Sequence, residues 1–261
     1  MKRSTKRRLV RGVFYAVFVA VVAALVLAAD WVAIQENFLD LSTLEETWPA
    51  IVTIAAKNTV VYTIVAFVGG LVGGLLLALM KLSPIAPYRW VATGYIEFFR
   101  GLPALLVIFA FAFAVPIAFQ WQPPGGNTVP ALIGLIVVSA AYIAETLRAG
   151  IQAVPKGQVE AAKSLGMNPL WTMVSVVLPQ AFRIVIPPLT NEFVIIIKDT
   201  SLLFIAGMAI ESRELTTFAR DAVSTTANST PLIAAAVMYL IITLPLTRLV
   251  ARLERRTQRA R

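Results

Sequence analysis

The 261-residue sequence contains no cysteine and no histidine. Without cysteine there is no disulfide framework, no thiol nucleophile and no cysteine metal site. Without histidine, the commonest general base and the commonest metal ligand are missing together. Charge is scarce as well, at 14% of residues against 58% hydrophobic, and the mean hydropathy is +0.78. Ordinary soluble domains carry about 25% charged residues, so a soluble chain this apolar would lack the polar surface to cover itself. Also absent is any G-x-x-x-x-G-K-[ST] stretch, the loop that cradles nucleotide phosphates.

What is present is a series of long apolar runs. A basic head, Met-Lys-Arg-Ser-Thr-Lys-Arg-Arg, precedes a run over about 12–29. A signal peptide has the same outline, but this run is long for one, and Asp30-Trp31 stands where a small-residue cleavage site belongs. It reads as an uncleaved first span. Further runs over about 51–80, 90–119, 129–151, 184–210 and 231–250 make six, at about 20 residues per crossing. An acidic link (Glu36, Asp40, Glu45, Glu46), a Pro-Pro-Gly-Gly turn at 123–126 and a polar loop over 211–230 separate them. No internal repeat or low-complexity linker divides the chain, which reads as one all-α polytopic membrane domain.

Six spans put both termini on one side, and the charges say which. Lys2, Arg3, Lys6, Arg7, Arg8 and Arg11 of the head fall there. So do Lys81, Arg89, Arg148, Lys156, Lys163 and Arg183, and the tail arginines 248, 252, 255, 256, 259 and 261. The acidic link falls opposite. Because lysine and arginine accumulate on the cytoplasmic side, the termini are expected to be cytoplasmic. The net charge of +9 then needs no nucleic acid: the basic runs only flank apolar segments.

The largest loop on that side runs P-K-G-Q-V-E-A-A-K-S-L-G-M-N-P-L-W-T-M-V-S-V-V-L-P-Q from Pro155. Gln158 to Leu165 is built of helix formers, and Gly166 is suited to end that helix in a left-handed cap. Asn168 can cap a second helix with Pro169 at its first position, where the missing N–H costs nothing. Two short helices joined by a sharp elbow are therefore expected. On these grounds the elbow fits a surface hairpin on the bilayer interface as well as a docking element.

Glu160-Ala161-Ala162, Gly166 and Val176-Val177-Leu178-Pro179 resemble the EAA signature of ABC importer permeases. That signature is Glu-Ala-Ala, three residues, Gly, nine residues, Ile, one residue, Leu-Pro. Every spacing matches, and Val176 for Ile is the one departure. Ala141-Tyr142-Ile143-Ala144-Glu145 with Arg148-Ala149-Gly150-Ile151 resembles the polar amino-acid branch, related to histidine, glutamine and glutamate permeases. So do Phe99-Arg100-Gly101-Leu102-Pro103, Leu178-Pro179-Gln180-Ala181 and Lys198-Asp199-Thr200-Ser201-Leu202. Pro103 stands where that branch more often has Thr or another small residue. The resemblance covers about 53–256.

It implies a type I ABC importer transmembrane domain: a five-span core plus one extra first span. Residues 1–50 would hold the head, extra span and link, 51–256 the transporter domain with coupling helices at 156–178, and 257–261 a basic tail. Glu160, Ala161, Ala162, Gly166, Leu178 and Pro179 would couple to a separate ATPase dimer, which would hold ATP and Mg2+. A second permease subunit, a different chain in preference to an identical one, and an extracytoplasmic amino-acid-binding protein are the further partners implied. Glutamate or glutamine is the favoured cargo, because relatives with an extra first span include glutamate permeases. Neither a catalytic residue nor a metal site of its own is expected.

Ionisable residues inside spans are costly and mark function by default. Glu97 and Arg100 lie three apart and share a helix face, as do Glu145 and Arg148. Glu192 and Asp199 share another, with Asn191 and Lys198 beside them. Gly101 and Pro103 weaken the helix just after Arg100. Either the pairs neutralise one another and fix packing, or Glu97, Arg100, Glu145, Asn191, Lys198 and Asp199 line a translocation path. Lys57 reads as snorkelling to the interface. Lipid headgroups are the expected surroundings of the tail helix 248–261. Four glycines, 69, 70, 73 and 74, permit close approach of another helix, from this chain or from a second subunit. A stand-alone transporter or channel is the alternative function, but it needs no docking elbow. A membrane enzyme is disfavoured by the missing histidine and cysteine.

Overall fold

The computed structural model describes the backbone of residues 3–259 and the side chains of residues 11–255. The side chains of the basic residues expected at 2–8 and at 256–261 lie outside the described residues. All regular structure among the described residues is helical. Among the described residues five helical stretches are long and apolar enough to cross a membrane, and a bent pair makes six if its two arms count as one span.

Helix α1 (Arg3–Ala28) is the first apolar run. Its residues 11–28 bury nothing against the rest of the chain. The acidic link that follows is ordered, as α2 (Trp31–Phe38) and α3 (Leu41–Ala50), each opened by its own aspartate. Asp30 accepts from the Ala33 N–H at 3.0 Å, and Asp40 from those of Ser42 and Thr43 at 3.1 and 3.2 Å. A carboxylate at this position satisfies donors that have no partner within the helix. The link is also tied to the far end of the chain: Ser229 N–H donates to Asn37 O at 2.8 Å, and Asp40 N–H to Thr230 Oγ1 at 3.0 Å.

A π-helical turn, Ile51–Ala56, leads into α4 (Lys57–Leu82). The third apolar run, 90–119, in which Gly101 and Pro103 were expected to weaken the helix, is broken into α5 (Ala86–Gly101) and a second arm that opens with α6 (Ala104–Phe109), the two bent by 105°. The cause is local. Proline forces its predecessor out of the helical region and cannot donate to the preceding turn. Leu102 (φ −100°, ψ 144°) and Pro103 (φ −59°, ψ 129°) are both extended. A π turn at Ala110–Ala114 and α7 (Val115–Ala118) complete this arm.

Helix α8 (Thr128–Gln152) is the central element and the most buried of the spans. The glycine stripe faces it. A β-carbon on Gly70 would lie 2.9 Å from Ser139 Cβ, and one on Gly74 would lie 2.8 Å from Ile143 Cγ2 and 3.0 Å from the Ala144 backbone nitrogen. The helix that the glycines admit thus belongs to this chain. Gly134 likewise lets α8 approach the Ile108 backbone, and Gly150 lies against Val185. Ile108, Leu135, Ile143, Ile196 and Leu203 form the main core.

After α9 (Lys156–Ser164) and α10 (Pro169–Thr172), a π turn at Met173–Val177 enters α11 (Leu178–Asp199). The fifth span was expected over 184–210. It begins earlier because Pro179 can occupy a first turn, and the wider π turn before it relieves the clash with the preceding carbonyls. Its α-helical part ends at Asp199, a tighter 3-10 turn continues over Thr200–Ala206, and left-handed Gly207 (φ 63°) ends the run. Helix α12 (Leu215–Thr226) and the long α13 (Thr230–Arg259) close the chain.

Candidate functional site

Two places concentrate the candidate residues. The first is the elbow between α8 and α11. Gly166 N–H donates to Lys163 O at 2.9 Å and Met167 N–H to Ala162 O at 3.1 Å. This pair of bonds closes a helix through a left-handed residue, here Gly166 at φ 78°. Asn168 Oδ1 then accepts from the Trp171 N–H at 2.8 Å, opening α10 with Pro169 in its first turn. The backbone therefore turns where Gly166, Asn168 and Pro169 lead one to expect.

One side of the elbow is fastened. Ala162 is buried, and Val154, Val177 and Ala181 form a small core with Ile151, Val159 and Ile184. Leu178 is half-buried behind it. The other side is bare. Glu160, Ala161, Gly166 and Pro179 are exposed, as are Leu165 at 83%, Leu170 at 72% and Trp171 at 61%. Three large apolar side chains thus stand bare on one short elbow, a pattern suited to a partner rather than to water.

The second place lies inside the spans. The Arg100 guanidinium, one residue before the Gly101 end of α5, sits 5.5 Å from the centre of the Tyr142 ring on α8. Arg100 and Asp199 are both within electrostatic reach of Glu192, and Lys198 of Asp199. Glu192 and Asp199 are half-buried, while Glu97, Arg100, Asn191 and Lys198 are exposed at the surface of this single chain. The break at Leu102–Pro103 lies beside them. The i,i+3 spacing led us to expect Glu97 to pair with Arg100, but no ion pair joins them among the described residues. Arg100 stacks on an aromatic ring instead.

Glu145 stands apart from this cluster. It receives Lys81 Nζ of α4 at 3.2 Å and Arg148 Nε at 3.1 Å. A second Arg148 nitrogen reaches the other carboxylate oxygen, and Gln152 accepts from Arg148 in turn. The spacing that pairs Glu145 with Arg148 is realised. Lys81, 64 residues away in sequence, had no local signal to mark it as the third member.

At the opposite end, Asn58 Nδ2 donates to the carbonyls of Glu211 and Arg213 at 2.8 and 3.0 Å, and Tyr62 Oη to that of Ser212 at 2.8 Å. Fully buried Glu214 caps α12, accepting from the N–H groups of Thr216 and Thr217 at 2.6 Å each and from Tyr239 Oη at 3.2 Å. Burial raises its pKa above the usual carboxylate range. Nothing in the loop's composition singled it out.

Residues 70–259, which take in the broken arm, the elbow and most of the glycine stripe, match the family described as binding-protein-dependent transport system inner membrane component. The chain belongs to this family of transporter permeases. The permease is 37% identical to the probable glutamine ABC transporter permease protein GlnM of Bacillus subtilis, over 78% of this chain and 91% of that one. It is 34% identical to the glutamate/aspartate import permease protein GltK of Escherichia coli, over 76% and 90% respectively. A solved structure titled "Crystal structure of an amino acid ABC transporter with histidines" superposes with a TM-score of 0.75 at 35% identity, covering 83% of the permease and 98% of that chain. The match to type I importer permeases follows, as does a multi-pass membrane location. Helices α1 to α3 precede the part of the permease that the family match covers.

Proposed function

We propose that this permease forms part of the path of an ATP-driven importer of polar amino acids, with glutamine and glutamate the favoured cargoes. It couples that path, through the elbow at 156–178, to ATP hydrolysis in a separate subunit. The observation that carries the reading is the elbow itself: packed on one side against α8 and α11, apolar and exposed on the other. A dimer of ATP-binding subunits holding ATP and Mg2+ is its counterpart, and Glu160, Ala161, Ala162, Gly166, Leu178 and Pro179 form or support the docking surface. The names carried by relatives, glutamine in one and glutamate/aspartate in another, support the cargo class. The termini are cytoplasmic, since the elbow and the basic ends share one face by the positive-inside rule.

The path runs beside Arg100, Glu192, Asn191, Lys198 and Asp199, with Glu97 at its margin. A zwitterion needs a cation for its carboxylate and an acid for its ammonium, and this cluster holds both within reach of one another. Their exposure in a single chain fits completion of the path by a second permease subunit, a different chain in preference to an identical one. An extracytoplasmic binding protein delivers the amino acid. A stand-alone transporter has no use for a bare apolar elbow.

The test replaces surface residues only. In proteoliposomes holding the whole complex, L165D/W171D should abolish co-purification of the ATPase subunit and all uptake, without loss of the folded permease. R100A should leave the complex assembled and cut uptake about 10- to 100-fold, as expected when a charge that orients the cargo is removed. Retained ATPase binding by L165D/W171D would refute the docking surface.

A further inference from the structure

We propose that Lys81 and Arg148 clasp Glu145 to fix the inner end of α4 on α8, so that Lys81 and Glu145 are positioning residues for coupling rather than contacts for cargo. The inference rests on the reading of the elbow as the coupling element.

Three residues, Ala153, Val154 and Pro155, separate the elbow from the end of α8 at Gln152. Val154 is buried with Val177 and Ala181, and Gly150 leaves no space between α8 and Val185 of α11. The elbow, the end of α8 and the start of α11 are thus one packed piece. A displacement of the elbow moves α8 directly.

Helix α4 has no such chain connection to the elbow. It joins α8 through the glycine stripe, from Gly69 to Gly74, packed against Ile136, Ser139, Ala140 and Ile143. Close packing of small residues sets the distance between helices, but it offers no directional bond to resist sliding along the axis. Beyond Gly74 the polar tie is Lys81 Nζ to Glu145 Oε2, in the last turn of α4. Arg148 holds the same carboxylate from one turn further along α8, and Gln152 holds Arg148. A chain of polar contacts therefore runs from the last residue of α8 across to α4, at the end of the bundle where the elbow pulls. Glu145 is fully engaged by this protein, with both its oxygens taken. That is the arrangement of a fastener, whereas a cargo-binding acid keeps an oxygen free.

The test uses the complete complex in proteoliposomes, with a labelled mixture of glutamine, glutamate, histidine and arginine as the probe. K81M and E145Q should each lower uptake per ATP hydrolysed by about three- to tenfold, the scale of a lost coupling contact. The amino-acid concentration for half-maximal uptake should not move. The double variant should be no worse than either single one, and K81R should retain coupling. The chain has no cysteine, so K81C/E145C offers a second route: bridged by a bis-methanethiosulfonate, which joins each thiol through a disulfide and releases two sulfinates, it should regain uptake, and lose it again when a thiol reductant cleaves those disulfides. Losses that multiply in the double variant, an effect of E145Q on half-saturation alone, or full coupling in K81M would each overturn the clasp. Loss of coupling in a Gly166 variant beside an unaffected K81M would leave the elbow standing and remove the clasp only.

Discussion

Glycine 74 carries more of this fold than its size suggests. Its missing β-carbon is what brings α4 against the backbone of α8, at 3.0 Å from the Ala144 nitrogen. Backbone cannot be repacked as a flexible side chain can. Gly74→Val should therefore destabilise the permease by about 1–3 kcal/mol, the usual cost of overpacking, seen as a lower melting temperature in detergent. Gly94 has open space at the same position, and G94A should change the melting temperature little. Glu214 gives a prediction in pH. Because burial raises its folded-state pKa, the protonated form is the one the fold favours. Its contribution is present at low pH and is lost as pH rises through the folded value. The difference in melting temperature, E214Q minus parent, should accordingly grow as pH rises, and a flat difference would show that the carboxylate is not strained by burial. At this scale the sequence was readable where chemistry is local. Gly166, Asn168 and Pro169 declare a turn by backbone preference alone, and so do Leu102 and Pro103. Lys81 with Glu145, or Glu214 with Tyr239, are partners across the fold, and no spacing rule reaches them.

At the scale of elements, composition was a good guide to where helices lie and a poor one to their shape. Apolar length located six crossings, but a hydropathy run says nothing about direction. The third run reads as one span and folds as two segments at 105°. Gly101 and Pro103 gave the warning. The acidic link adds what hydropathy does not address: its charge separates the apolar runs, and its two aspartate caps open short helices there. Near the break, Arg100 faces Tyr142 in place of Glu97, because an aromatic face on α8 is within reach. An uncharged ring leaves the guanidinium available to an anion. The structural consequence is that Pro103→Ala should favour a straighter helix across 102–103, and hydrogen exchange at residues 104 and 105 should slow. Unchanged exchange there would mean that packing against α8, rather than proline, imposes the bend.

For the whole molecule, the distribution of burial is the informative quantity. Helix α8 is largely enclosed by its own chain, residues 11–28 of α1 not at all, and the charged cluster on α5 and α11 stands half open. Acids and bases left open within the spans of a single chain fit a permease that works as one part among several. The elbow says the same on another face. Its inner side was legible as helix formers ending in glycine, and its family resemblance rested on spacing that the sequence displays in full. Its outer side, with Leu165, Leu170 and Trp171 bare together, needed the fold. The account depends on this elbow passing a partner's nucleotide-driven motion into the spans. The most direct measurement is uptake of labelled amino acid per ATP hydrolysed by the reconstituted complex carrying Gly166→Val. A branched residue is strained at φ 78°, by roughly 1–2 kcal/mol, while nothing nearby obstructs it, so the permease should fold and assemble. The account predicts that uptake falls to background and that ATP hydrolysis no longer responds to binding protein and amino acid; undiminished uptake by that variant would contradict it.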